Sequence, residues 1–385
     1  MGNTTDFESA RKRHNFFKTV KRLFVIIIVV AVLVLLYAFR FDIASQGFGV
    51  LLSDSIAMLI DQTGYPITID SQPVQLCSVG SRAVLMTENS MSVYNKAGNR
   101  VIEKHIAGEN VVAVSAGRFL LTYELGGYDL EIRSGDTVMF SHRFDYPIYC
   151  ADIAENGAFA AAIGAQGAQA QVIAYDSHYS EQFWWVSAER VIYSLALNNN
   201  AEYIAVGGMQ LDEGTLDSIV EVFQLSDGSQ RAFLTFNDEM LLGLQLLEDG
   251  SVSSVTTEGI YVFSPAGKLR NDYTYEGEGI AAFDIAFDGK IAAAIGDYDA
   301  NHELRVVKLD SNGALLGEAA LDRDIESVHI YEDSVLAFVG ERAIRFDAEM
   351  KKAASTETPE ALAVIPVKNQ LYYATMHQIN RTTIK

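Results

Sequence analysis

The chain has 385 residues, 49% of them hydrophobic and only two of them Cys, and it carries 50 Asp and Glu against 29 Lys and Arg, a formal charge of −21. That is too apolar for an intrinsically disordered chain and too Cys-poor for a disulfide scaffold. The acid excess argues against a nucleic-acid partner, because phosphate binding needs a basic face.

Residues 1–22 form a basic tail in which Arg11, Lys12, Arg13, Lys18, Lys21 and Arg22 are opposed only by Asp6 and Glu8. Leu23 to Phe39 follow as LFVIIIVVAVLVLLYAF, seventeen residues without a charge. Extended through Arg40 and Phe41, this run matches the thickness of a bilayer core, and it predicts a transmembrane helix over 23–41. Its Leu, Ile, Val and Phe side chains favour insertion by about 4 to 8 kcal/mol. The run is longer than a signal-peptide core and no small-x-small cleavage site follows closely, so an uncleaved single-pass anchor is expected. Arg40 is the sole basic residue between the run and Arg82. The positive-inside rule therefore puts the N-terminus in the cytoplasm and the rest of the chain outside the cell membrane. With residues 1–22 at +4 and Arg40 set aside, the remainder carries −26.

Residues 42–61 have apolar positions at near-helical spacing between Phe48 and Ile60, which predicts a short juxtamembrane helix or stalk. From residue 62 to the end the texture changes to short β-type runs separated by Gly, Asn, Asp and Ser turns. An apolar strand rich in small residues recurs as VLMT (84–87), FLLTYE (119–124), FAAAIG (159–164), YIAVGG (203–208), VSSVTT (252–257), IAAAIG (291–296), VLAFVG (335–340) and LYYATM (371–376). Start to start, the intervals are 35, 40, 44, 49, 39, 44 and 36 residues. One strand precedes each unit, a second follows it, and a turn such as Asn95-Lys96-Ala97-Gly98 or Asp310-Ser311-Asn312-Gly313 comes next. Four strands at a period near 40 is the arithmetic of a β-propeller blade. The predicted class is all-β, an eight-bladed propeller over 62–385, with seven blades as the alternative if one unit is degenerate. The last unit is one strand short and the domain begins with a spare one, Tyr65 to Ile69. Pairing that strand with Ile379–Ile384 would close the ring without a free edge.

A basic tail, one anchor, a Gly-Tyr-Pro-Ile strand and blades ending in Gly-containing turns resemble an uncharacterised Firmicute family of membrane-anchored propellers, catalogued as a domain of unknown function. The resemblance covers nearly the whole chain and implies architecture and location alone. WD-repeat and quinoprotein propellers are more distantly similar. There is no Gly-His…Trp-Asp pair, and the only tryptophans are Trp184 and Trp185, so a Trp docking motif in every blade is excluded.

Two stretches could carry chemistry. Asp297, Asp299 and Asn301 have calcium-loop spacing, but His302 stands where that loop needs Gly and Lys308 where it needs Glu. The ordinary reading is a polar hairpin loop, so no metal is expected. Gln182-Phe183-Trp184-Trp185-Val186 is the densest aromatic run. In a strand one Trp packs between blades while the other faces out, where it is a weak candidate for binding a partner. Cys77 and Cys150 fall in the first strands of different blades and are read as buried thiols rather than a disulfide. No zinc-protease motif, nucleophile elbow or phosphate loop occurs, so no catalytic residue and no cofactor is predicted. The leading expectation is a non-enzymatic protein-interaction scaffold at the bacterial cell envelope, with a basic protein as a suitable partner. The alternatives are a ligand- or glycan-sensing module and, third, an extracytoplasmic enzyme.

Overall fold

A computed structural model describes residues 29–30, 64–106, 110–212, 214–296, 304–321, 325–367 and 369–384. Within them the backbone forms eight four-stranded antiparallel sheets, so the eight-bladed count holds and the seven-bladed alternative is excluded. Blades 1 to 7 span residues 73–105, 111–143, 148–187, 191–236, 241–274, 279–321 and 327–357, each a simple up-and-down meander. Blade 8 takes three strands from 363–383 and its outermost one, Ile67–Thr68, from the start of the domain.

The first strand of every blade touches the first strands of both neighbours, including blade 8 against blade 1, so these strands form the inner ring. Blades radiate from that ring, and the gap between neighbouring sheets widens outward. This wedge explains where residues of each size stand. Second strands are buried on both faces near the axis, and there Ala160, Ala161, Ala162, Ala292, Ala293 and Ala294 are fully buried. Farther out the gap is filled by rings, as where Phe183 and Trp185 of blade 3 each lie 5.5 Å from Phe223 of blade 4. Phe236 of blade 4 similarly lies 5.4 Å from Tyr261 of blade 5.

Four of the turns between third and fourth strands share one device. In Asn95, Asp176, Asp310 and Asp347 the side-chain oxygen accepts the N–H groups two and four residues on. The residue three positions on adopts positive φ in each: Gly98, Tyr179, Gly313 and Met350. The Asx oxygen organises the loop and its geometry then demands the left-handed residue.

Closure is secured by more than the strand pair. Ile67 stands opposite Ile379 and Thr68 opposite Gln378. The Gly64 N–H donates to Ala97 O at 3.0 Å and the Ile69 N–H to His377 O at 2.8 Å. Tyr65 donates to Asn95 O at 3.1 Å, meets Tyr372 edge-on at 5.4 Å, and is capped by the Arg381 guanidinium at 4.9 Å. Arg381 also donates to Lys96 O.

Of the predicted anchor, Val29 and Val30 are described and are helical. The rest of 23–41, the predicted stalk and the 297–303 loop lie outside the described residues. Among the described residues no helix is long and apolar enough to cross a membrane.

Candidate functional site

The ring has two unlike ends. Because each blade is an up-and-down meander of four strands, the second-to-third-strand loops and the blade-to-blade linkers share one end, here the linker face. Loops joining first to second and third to fourth strands share the other, the turn face. The chain enters the ring on the turn face, since Gly64 bonds to Ala97 in the third-to-fourth-strand turn of blade 1.

Among the described residues of the ring nineteen large hydrophobics are exposed, and eight of them sit on outermost strands at the rim. Ten of the other eleven are at the linker face, and only Phe287 is at the turn face. Charge is unequal as well. The described loop residues of the linker face include twelve Asp or Glu and one Lys or Arg, against thirteen and five on the turn face. Six of those thirteen turn-face acids are spent on their own loops: Asp176, Asp227, Asp249, Asp288, Asp310 and Asp347 each accept a nearby backbone N–H. Arg190, the one cation among those described linker-face loop residues, is engaged. It pairs with Glu221, donates to Gln210 at 3.2 Å and caps the Phe233 ring at 5.2 Å.

Blade 4 projects from this face. Its second and third strands, Tyr203–Asp212 and Thr215–Gln224, have ten residues each, against five to eight for the second and third strands of the other blades. Sequence reading ended the second strand at Gly207-Gly208, a natural breaker. In the structure these glycines instead allow close approach. A Cβ on Gly207 would lie 2.7 Å from the Leu241 side chain, and one on Gly208 would lie 2.7 Å from the Ile192 side chain. The hairpin therefore runs on to its tip, where Leu211 and Leu216 face each other across the strands, 75% and 45% exposed. The 49-residue interval between the fourth and fifth repeats, the longest of the seven, was the sequence signal of this extension.

The hairpin is braced. The Asp217 carboxylate accepts the Asp238 N–H at 3.0 Å, and Ser218 Oγ accepts the Leu241 N–H at 2.9 Å. Tyr193 and Ser218 share a hydroxyl contact at 3.2 Å. These bonds bring the linker into blade 5, with exposed Met240 and Leu242, against the hairpin base. Val191, also exposed, stands opposite Met209 on the other side.

Inside the ring, polar side chains on inner strands stitch blade 1 to 2, blade 3 to 4 and blade 6 to 7. The Gln75 amide donates to Ala113 O at 3.0 Å and accepts the Ala113 N–H at 3.2 Å. Asp152 accepts the Leu197 N–H and Asp284 the Ile330 N–H, each at 2.7 Å. Burial pushes the Asp152 carboxyl up to about 6, against the pull of bonds from the Leu197 and Ile153 N–H groups. Burial likewise holds His329 below the ordinary histidine value, although the Asp284 charge opposes it.

The model described as "Family of unknown function (DUF5711)" matches residues 59–385. The chain belongs to this family. No curated protein matches it. Among solved structures it is similar to the C-terminal WD40 domain of Sif2, with a TM-score of 0.60 and 10% identity over 83% of this chain and 97% of that one. It is also similar to BamB from Moraxella catarrhalis, with a TM-score of 0.53 and 10% identity over 84% and 98% of the two chains. Sqt1 of Chaetomium thermophilum, solved bound to the N-terminus of the ribosomal protein L10, gives 0.54 and 10% over 82% and 95%. At such identities these likenesses establish the propeller fold and nothing finer.

Of the residues singled out from sequence, Trp184 and Trp185 lie in the outermost strand of blade 3, Glu181–Ser187. Trp184 is 63% exposed, while Trp185 is half-buried against Phe223. Trp184 thus stands at the rim, away from the blade 4 ledge. Asp297, Asp299 and Asn301 fall outside the described residues, and among the described residues no three His, Cys, Asp or Glu side chains are grouped to hold a metal. Cys77 and Cys150 are both free thiols, and burial pushes Cys77 up to about 12 and Cys150 higher still. A cleft of about 450 Å³ opens between blades 1 and 2, lined by Met86 and Met91 of blade 1 and Thr122 and Ser141 of blade 2 and edged by Lys104 and Glu131. Burial tends to raise the Glu131 carboxyl, but bonds from Lys104 at 2.9 Å and Arg133 at 2.6 Å outweigh it and hold it below its usual range.

Proposed function

We propose that this chain is a non-enzymatic interaction scaffold of the bacterial cell envelope, anchored by residues 23–41 with its propeller outside the membrane. One observation carries the reading: the exposed apolar side chains concentrate on the linker face, while the chain enters on the opposite, turn face. An anchor attached through Gly64 would then turn the linker face away from the bilayer and toward a protein partner. Contiguous apolar surface rimmed by polar residues is how monomeric proteins present such sites. Sqt1, with the same fold, is described bound to a segment of another protein, which is in keeping with a protein partner here.

The test is topological. Protease added to intact protoplasts removes an epitope tag at the C-terminus and spares one at the N-terminus. The reverse pattern, or protection of both tags, refutes the orientation and the envelope role. A second reading, a ligand-sensing module, is favoured by the cleft between blades 1 and 2. It predicts that Ser141→Trp, opposite Glu131 on the cleft side of blade 2, fills the cleft and abolishes binding of a small ligand without touching the linker face.

A further inference from the structure

We infer that the ledge formed by the blade 4 hairpin and the blade 5 linker is a docking site for a cationic polypeptide segment whose aliphatic side chains seat on Leu211 and Leu216. This deepens the scaffold reading and rests on it. The apolar component comes from Val191, Leu211, Leu216, Met240 and Leu242, five exposed side chains joined by direct strand pairing and by the Asp217 and Ser218 bonds to the linker. Two exposed leucines opposite each other at a hairpin tip gain little for the fold beyond their own cross-strand contact, since each leaves apolar area in water that a polar residue would not. The bracing gives the ledge a fixed shape, so a partner would lose little free energy in ordering it.

Charge selects the occupant. The neighbouring linkers hold exposed Glu189 and Asp238 and half-buried Glu239, and their one cation, Arg190, is committed to Glu221, Gln210 and Phe233. With twelve acids and that one engaged Arg on the described loops of the face, a basic segment is drawn in while an acidic one is repelled. The same field disfavours an anionic lipid surface. It also disfavours a second copy of this face, which would bring two acidic surfaces together.

The experiment is peptide selection on the detergent-solubilised full chain, which does not depend on membrane orientation. A random-peptide library is panned against the protein, and the enriched peptides are synthesised and titrated. The expected result is enrichment of sequences with net positive charge and two or more large aliphatic residues. Their affinity falls about tenfold or more in Leu211→Ser/Leu216→Ser, the loss expected of interface anchors. It falls further as salt rises, because the ions are exposed and screened. Phe287→Ser, on the turn face, binds like the parent. Both leucines are exposed, so the double variant keeps its melting temperature, and Met240→Ser gives an independent loss on the same ledge. Enrichment of neutral or acidic peptides overturns the inference. So does no enrichment, binding indifferent to the double variant, or a leucine-dependent self-association or vesicle binding in place of peptide binding. Failure here with the expected protoplast result leaves an outward-facing scaffold whose partner uses another surface. The converse result leaves the ledge and removes the orientation.

Discussion

Asp152 shows how one side chain serves both assembly and a cost. Its carboxyl closes the gap between the inner strands of blades 3 and 4 by accepting the Leu197 N–H, yet burial raises it to about 6. A carboxyl raised in the folded state favours folding while it stays protonated. That advantage is lost as pH climbs from the unfolded value near 4 through about 6. Asp152→Asn keeps an acceptor and removes the titration. Relative to the parent, its unfolding free energy should therefore rise by about 2 kcal/mol between pH 4 and pH 7 and stay level above. Any constant offset from the lost Ile153 contact leaves this slope untouched. A parallel pair of stability–pH curves would mean that Asp152 ionises freely in the fold. Blade 5 offers a simpler case. Ser253 and Ser254 are fully buried where blades 3 and 6 have Ala160, Ala161, Ala292 and Ala293, and neither hydroxyl has a protein partner. Ser253→Ala and Ser254→Ala should each stabilise the protein by about 1 kcal/mol in denaturant titration, because an unpaired buried hydroxyl is removed without leaving a cavity.

At the scale of the element, the short strand Ile67–Thr68 matters beyond its length. It covers Gln378–Thr383, which would otherwise be an open edge. Its approach depends on Gly98. That residue adopts positive φ, and a Cβ there would lie 2.7 Å from Gly64 O. Gly98→Ala should thus cost about 1–3 kcal/mol by calorimetry or denaturant titration, through backbone strain and a displaced closing segment. Deleting residues 1–69 should lower the melting temperature and promote aggregation, whereas deleting 1–61 leaves all eight sheets whole. Equal melting of the two truncations would show that the pair is dispensable. The blade 4 hairpin makes the complementary point. It was hidden in sequence because Gly207-Gly208 reads as an end, and the reason for those glycines, Leu241 and Ile192 pressing on the strand, lies in other strands.

The whole molecule is a closed ring with a large charge imbalance. Beyond Arg40 the chain carries −26, and self-repulsion opposes compaction. Melting temperature should therefore rise with added salt as repulsion is screened, and magnesium and calcium should act alike at matched ionic strength. A rise specific to calcium and abolished by Asp299→Ala would instead make the 297–303 loop a metal site. A site held at a hundredfold excess over its dissociation constant adds about 2.7 kcal/mol, enough to be seen as a shift of several degrees.

The propeller class and a count of eight or seven blades were legible in the sequence, and the eight closed sheets decided between them. Eight small-residue strands at an interval of 35 to 49 residues, each with a strand before and after it, were readable because both β periodicity and turn chemistry act over a few residues. The choice of Ala or Gly for second strands follows from the same local pattern and makes sense once the blades converge. What the sequence could not decide was the unlike character of the two faces. Leu211, Leu216, Met240 and Leu242 are four leucines and methionines among many, and nothing in their spacing separates them from core positions. Exposure depends on whether another blade arrives to cover a side chain, and that is fixed by the radial packing of strands far apart in the chain. Pairing of Asp152 with Leu197 is likewise set by which inner strands become neighbours. Local composition determined the blades, and closure of the ring determined which of their residues meet, which are stranded without a partner, and which are left for something else to bind.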